Sequence, residues 1–288
     1  MGHYYNGMLD IYSDMALQSA TFGTVIEILE IDELAAIRAE LEPAEIDAAL
    51  SRIHDEFDIQ PDCTEAELRR AASTAAALFR MVERHGLGAM AYFYQSQPGT
   101  VHEDIITSVI LGCSLLTGSG VPIAGEYEIK NAQAMKIMDT LGAGGSFTEF
   151  YAIDYGADVV LMGHDGPGHT RIAEGKTKVR PLEVYHGKVG AGVSVEMSVK
   201  HGPVTLLSVL EIDGKVSLLV AEGDSVPGPI LEIGNTNSRY RFPVGARNFV
   251  EGWNAAGPAH HCAVGVGHVA GQIEKLGAIL GVEVVRVC

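Results

Sequence analysis

The spacing of apolar side chains changes character halfway along the chain. Up to about residue 142, apolar positions recur every three or four residues, the period of an amphipathic helix. Met8, Leu9, Ile11, Tyr12, Met15 and Ala16 predict a helix over 7–20. Acidic helices follow at 32–40 and 43–57, the second with Pro43 just inside its start, where the missing N–H costs nothing. The longest helix is predicted over 64–85, with Thr64 and Glu67 as its capping box and Gly86 and Gly88 at its end. Two more helices are predicted over 101–116 and 128–141. Between the helices lie short apolar runs at 24–29, 89–94 and 121–125 that read as strands. Strands joined by helices pair in parallel, so this half reads as an α/β sheet.

After the glycine-rich stretch 142–145 the period shortens to that of strands. Runs at 147–153, 159–162, 182–185, 193–199, 204–212 and 216–220 are apolar and β-branched. Asp213-Gly214 between the last two is a hairpin signal. Helices at 246–255 and 268–280 and a strand at 283–287 complete the pattern. Regular short strands predict an antiparallel barrel or sandwich. The expected fold is thus α/β: a parallel-sheet α/β domain over 1–143, then a mostly antiparallel β-barrel domain over 144–288 with C-terminal helices.

Composition narrows the function classes. The chain has 288 residues, 20 basic and 37 acidic, for a formal charge of −17. Such a field repels phosphate backbones and anionic lipid, so neither nucleic acid nor a membrane is an expected partner. No apolar run reaches the roughly 18 residues that span a bilayer, and the N-terminus lacks the regions of a signal peptide. Cys63, Cys113, Cys262 and Cys288 form no C-x-x-C pair, which fits reduced thiols in a cytoplasmic protein. The first 60 residues hold 13 acidic and 2 basic side chains, read as solvated helix faces.

Polar chemistry concentrates in three glycine-rich places. In Ala124-Gly125-Glu126, the glutamate follows a predicted parallel strand, at the end where open α/β sheets bind ligands. Glu149 interrupts an apolar strand between Phe147 and Phe150, and a carboxylate buried there needs a partner or a cation. His164 ends the next strand and enters the turn Asp165-Gly166-Pro167-Gly168. The adjacent His260 and His261 sit in a small-residue loop before an apolar run, so on an extended backbone they point to opposite sides. Two carboxylates with imidazoles suit a divalent ion with open positions, such as Mn²⁺, Co²⁺, Fe²⁺ or Zn²⁺.

Taken in order, the blocks Ala-Gly-Glu126, Ser-Phe-Thr-Glu149, Gly-His164-Asp-Gly-Pro and Gly-Pro-Ala-His-His261 resemble the L-arabinose isomerase family. The resemblance runs over essentially the whole chain. It implies a homo-oligomeric, metal-dependent aldose–ketose isomerase of an open-chain sugar, working through an enediolate. It also implies Mn²⁺ or another divalent ion on Glu126, Glu149, His164 and one of His260 and His261, with His261 favoured as ligand. Glu126 and Glu149 would be catalytic, and His260 and Met8 substrate neighbours. Family members carry a further N-terminal α/β domain ahead of the block where this sequence starts. That difference motivates a second expectation, a non-catalytic or partner-dependent sugar- and metal-binding subunit. A third is a sugar epimerase using the same chemistry.

Overall fold

The computed structural model describes residues 1–181, 184–185, 188–189 and 192–288. The first half runs α1 (Met15–Phe22), α2 (Ile31–Ala39), α3 (Pro43–Glu56), β1 (Asp58–Ile59), α4 (Glu65–His85), β2 (Met90–Ala91), α5 (Val101–Ile106), α6 (Ile110–Gly118), β3 (Ile123–Ala124) and α7 (Ile129–Thr140). Its core forms around the alanine-rich face of α4, where Ala71, Ala72, Ala75, Leu78 and Met81 are buried with Leu34, Ile37 and Ile53. Small side chains let helices approach closely: a Cβ on Gly112 of α6 would stand 2.8 Å from the Ala75 Cα. Thr64 caps α4 by accepting the Glu67 N–H, while the Glu67 carboxylate turns to Arg70, so only half the expected box closes.

Three expectations are corrected here. The helix expected over 7–20 is split: a single turn at Leu9–Ile11 precedes Asp14, whose carboxylate caps α1 by accepting from the Ala16 and Leu17 N–H groups. The helix over 101–116 breaks between α5 and α6, where the Thr107 and Ser108 hydroxyls bond back to helix carbonyls. The run 24–29 forms no strand; Val25 is 96% exposed, and the run is tied down by its Leu29 carbonyl, which accepts the Gly2 N–H, and its Thr24 hydroxyl, which accepts from the Gln133 side chain. The parallel sheet is present only in part. Among the described residues of this half it consists of the β2–β3 ladder, Met90↔Ile123 and Ala91↔Ala124, extended by a parallel bridge between Gly2 and Phe93.

The second half is β4 (Ser146–Asp154), β5 (Val159–His164), β6 (Lys178–Pro181), β7 (Val184–Tyr185), β8 (Lys188–Val189), β9 (Val193–Glu196), β10 (Gly202–Ile212), β11 (Lys215–Val226), β12 (Thr236–Arg241), α8 (Ala246–Ala255), β13 (His261–Val266), α9 (Ala270–Leu280) and β14 (Glu283–Arg286). Of the strand expected over 182–185, residues 182 and 183 lie outside the described residues. The order β10-β13-β4-β5-β12-β11 closes through a β10–β11 pairing into a six-stranded antiparallel barrel, as expected, with β14 added in parallel to β11. The β10–β11 hairpin turns at Asp213 and Gly214, both with positive φ (51° and 70°), the geometry the sequence signal predicts.

Strand alternation assigns the core. Val204, Leu206 and Leu210 of β10 join Val160, Met162, Tyr240 and Val264 in one cluster. Leu207 and Val209 join Met135 and Met138 of α7 and Ile273 of α9 in another. Both faces of β10 are apolar because helices cover one of them. No helix among the described residues is long and apolar enough to cross a membrane.

The approach of β5 to β12 has no slack. A Cβ on Gly163 would stand 1.8 Å from the Thr236 carbonyl oxygen. Gly163→Ala should therefore force the strands apart and cost about 1–3 kcal/mol, the usual range for overpacking. A chemical-denaturation midpoint equal to that of the unsubstituted chain would contradict this.

Candidate active site

Three adjacent strands bring three of the candidates together. His261 opens β13 opposite Glu149 of β4, and Glu149 stands opposite Gly163 of β5, with His164 the next residue. The His164 backbone is pinned on both sides by Thr236, whose hydroxyl accepts the His164 N–H and donates to its carbonyl, each at 3.1 Å. Glu126 arrives from the other half, two residues past β3. It and Tyr127 both hold left-handed backbone, φ 55° and 62°. Such conformations cost non-glycine residues of order 1–3 kcal/mol each, and they cluster where side chains must be aimed.

The side chains converge in a dry space. Glu126, His164 and His261 are all buried. The Phe147 ring lies against both imidazoles, with centroids 4.6 Å from His164 and 4.3 Å from His261. Glu126 stands 3.9 Å from His164 Nε2 through Oε1 and 3.6 Å from His261 Nε2 through Oε2. Both contacts are too long for hydrogen bonds. Among the described residues, Glu126 Oε2 and His261 Nε2 are buried without a hydrogen-bond partner.

Each imidazole has its other nitrogen engaged. His164 Nδ1 is 2.5 Å from the Asp165 carbonyl oxygen. His261 Nδ1 is 2.7 Å from Glu128 Oε2. His260 Nδ1 is 2.6 Å from Asp10 Oδ2, which also accepts the His260 backbone N–H. A carbonyl can only accept, so His164 donates from Nδ1 and its Nε2 keeps the lone pair; ionised Glu128 and Asp10 set the same tautomer in His261 and His260. Glu126, His260 and His261 each bring a ligand atom to within 4.8 Å of the others. The donors are those that bind divalent ions, and two of them are orphaned face to face, so the residues fit a metal ion.

Electrostatics points the same way. Burial pushes the Glu126 carboxyl up to about 8, helped by Asp165, Glu149, Glu128 and Asp10 around it. Burial also carries Glu128 to about 8, against the pull of Lys130. Burial and the neighbouring His261 bring His164 down to about 4, and burial, with His260 beside it, holds His261 well below the usual range. The pocket thus disfavours charge on its own acids and bases, a burden a bound cation would lift.

Of the residues picked from the sequence, Glu126, His164 and His261 meet directly. The His260 ring packs tilted against that of His261, with centroids 3.8 Å apart. Glu149 is half-buried and joins through strand pairing. Met8 stands two residues ahead of Asp10, whose side chain holds His260. Sequence reasoning passed over Glu128 and Asp10. Glu128 lay in plain view two residues after Glu126, whereas Asp10 was hidden in the acidic N-terminal stretch.

A pH dependence follows. Glu126 and Glu128 keep a proton in the folded metal-free chain up to about pH 8, while the unfolded chain loses it near 4.5. Over that interval the folded state binds more protons, so these groups lose stability as pH rises. The lowered histidines act oppositely, but only below their ordinary value of 6.5. Between pH 6.5 and 8 the two carboxyls outweigh one opposing group, the Met1 amino group, which burial lowers to about 5. The melting temperature in chelator should fall across this window, and less so in the double variant Glu126→Gln/Glu128→Gln. A flat profile in the unsubstituted chain would refute the assignment.

The L-arabinose isomerase C-terminal domain family matches residues 144–283. An L-arabinose isomerase of Shewanella baltica (strain OS223) is 24% identical over 293 aligned residues, which cover 94% of this chain and 56% of that protein. The chain therefore spans about half the length of the curated relative it matches.

Proposed function

From the premise that this chain is arabinose isomerase-like, we propose that it is a metal-dependent aldose–ketose isomerase of an open-chain pentose or hexose. Glu126, Glu149, His164 and His261 would hold Mn²⁺ or a similar divalent ion such as Co²⁺. The observation that carries this reading is the pair of orphaned ligand atoms, Glu126 Oε2 and His261 Nε2, facing each other 3.6 Å apart. A divalent ion supplies Lewis-acid stabilisation of the negative charge that develops on the sugar's C1 and C2 oxygens.

The chain's own residues do the rest. One of Glu126 and Glu149 removes the C2 proton and the other returns a proton at C1 or moves one between the oxygens. These two carboxylates come from different elements, β3's exit and β4, so they can stand on different sides of a bound sugar. Neutral His164 and His261 offer lone pairs rather than competing charge. Phe147 keeps water from the imidazoles' flank. His260 is the exposed member of the cluster, and its Nε2, the nitrogen not bonded to Asp10, is suited to accept a bond from a sugar hydroxyl. Met8 is the other substrate neighbour in this reading. The reading includes a cytoplasmic homo-oligomer and a domain boundary near residues 143–147, which the start of the matched family region at 144 supports.

The test is an aldose panel assayed after chelation, with and without added Mn²⁺. Ketose formation restored by Mn²⁺ is expected, and Glu149→Gln should lower kcat by about 10²–10⁴, the usual worth of a positioned acid or base. Epimer instead of ketose would replace isomerisation by epimerisation. No turnover by the Mn²⁺-loaded chain alone would overturn the proposal in favour of a partner-dependent or non-catalytic subunit.

A further inference from the structure

One imidazole in the cluster is gripped at both nitrogens by carboxylates only two residues apart in sequence. Glu128 Oε2 lies 2.7 Å from His261 Nδ1, and Glu126 Oε2 lies 3.6 Å from His261 Nε2. A regular helix sends residues i and i+2 to different faces and does not wrap them around one ring. The left-handed Glu126–Tyr127 backbone does so here. The two contacts differ in kind. The first is a short hydrogen bond between fully buried groups. The second is too long for a hydrogen bond yet short enough for both atoms to ligate one ion. A neutral ring has a single N–H, so a proton donated to Glu128 leaves the lone pair on the side of Glu126.

We propose that Glu128 is a positioning residue which fixes the tautomer and orientation of His261, so that Nε2 is presented as a metal ligand beside Glu126. This inference rests on the metal-dependent reading above. Glu128 touches neither the ion nor the sugar in this role; it acts through His261. Ionised once a cation is bound, its carboxylate would also increase the electron density the ring offers to that cation. The Nδ1 bonds of the other rings serve as an internal comparison. His164 leans on a backbone carbonyl, which no side-chain substitution removes, and His260 leans on Asp10 from a separate element. Glu128 is thus the substitutable support of a buried ligand ring.

The experiment measures Mn²⁺ affinity directly, by titration calorimetry and by the loss of the free-ion electron paramagnetic resonance signal. It needs no sugar and no turnover. Glu128→Gln keeps the shape and one acceptor oxygen but not the charge, and Glu128→Leu removes both. Weakening of about tenfold is expected for Glu128→Gln and about a hundredfold for Glu128→Leu, the span usual for groups that support metal-bound histidine. Both metal-free variants should keep the circular dichroism spectrum of the parent, and Glu128→Gln guards against a misfolded Leu variant. Affinities within threefold of the parent for Glu128→Gln and Glu128→Leu alike would overturn the inference while leaving the metal reading intact. A parent chain that binds no Mn²⁺ would overturn both.

Discussion

Everything at the site depends on three strands lying side by side. The β13–β4–β5 ladder sets His261, Glu149 and Gly163 in one row, and the barrel's closure keeps that row from sliding or splaying. Local sequence could not have done this, because the three segments are far apart along the chain. The barrel supplies stiffness through apolar packing on both strand faces. Glu126 then has only to arrive from outside, which the short β2–β3 pair and the strained turn after it accomplish.

Burying so many acids carries a penalty that the fold meets in two ways. Some of the charge is tied up in bonds to an imidazole, as with Asp10 on His260. The remainder, chiefly on Glu126, finds no partner among the described residues and is pushed toward its neutral form. Such an arrangement by itself contributes no stability. The cost makes sense where a cation completes the cluster, and the strained backbone at Glu126 and Tyr127 belongs to the same account.

Much of this was legible in the sequence, for identifiable reasons. The long α4 helix carried its own cap and stop, and the β10–β11 hairpin carried Asp213-Gly214, so both announced themselves locally. Glu149 stood out because an acid in an apolar strand demands a partner. The strand β12 was missed because Thr236, Asn237, Ser238 and Arg239 are polar, and only barrel closure makes them a strand. The run 24–29 misled because β-branched residues without a neighbour to pair with stay unpaired. Asp10 and Glu128 were invisible as partners of histidines because nothing in a linear chain reveals which acid meets which ring across two halves of a molecule.

The paired histidines have a consequence for how the chain finds its native arrangement. A β-ladder shifted by one position turns every side chain to the opposite face. With His260 and His261 adjacent, such a slip in β13 would still set an imidazole opposite Glu149, so that one row by itself discriminates poorly between correct and shifted pairings. The discrimination comes from elsewhere: Asp10 holds His260 by ring and backbone together, and Glu128 holds only the ring that is buried. Two acids on separate elements thereby proofread the alignment of a strand to which neither belongs.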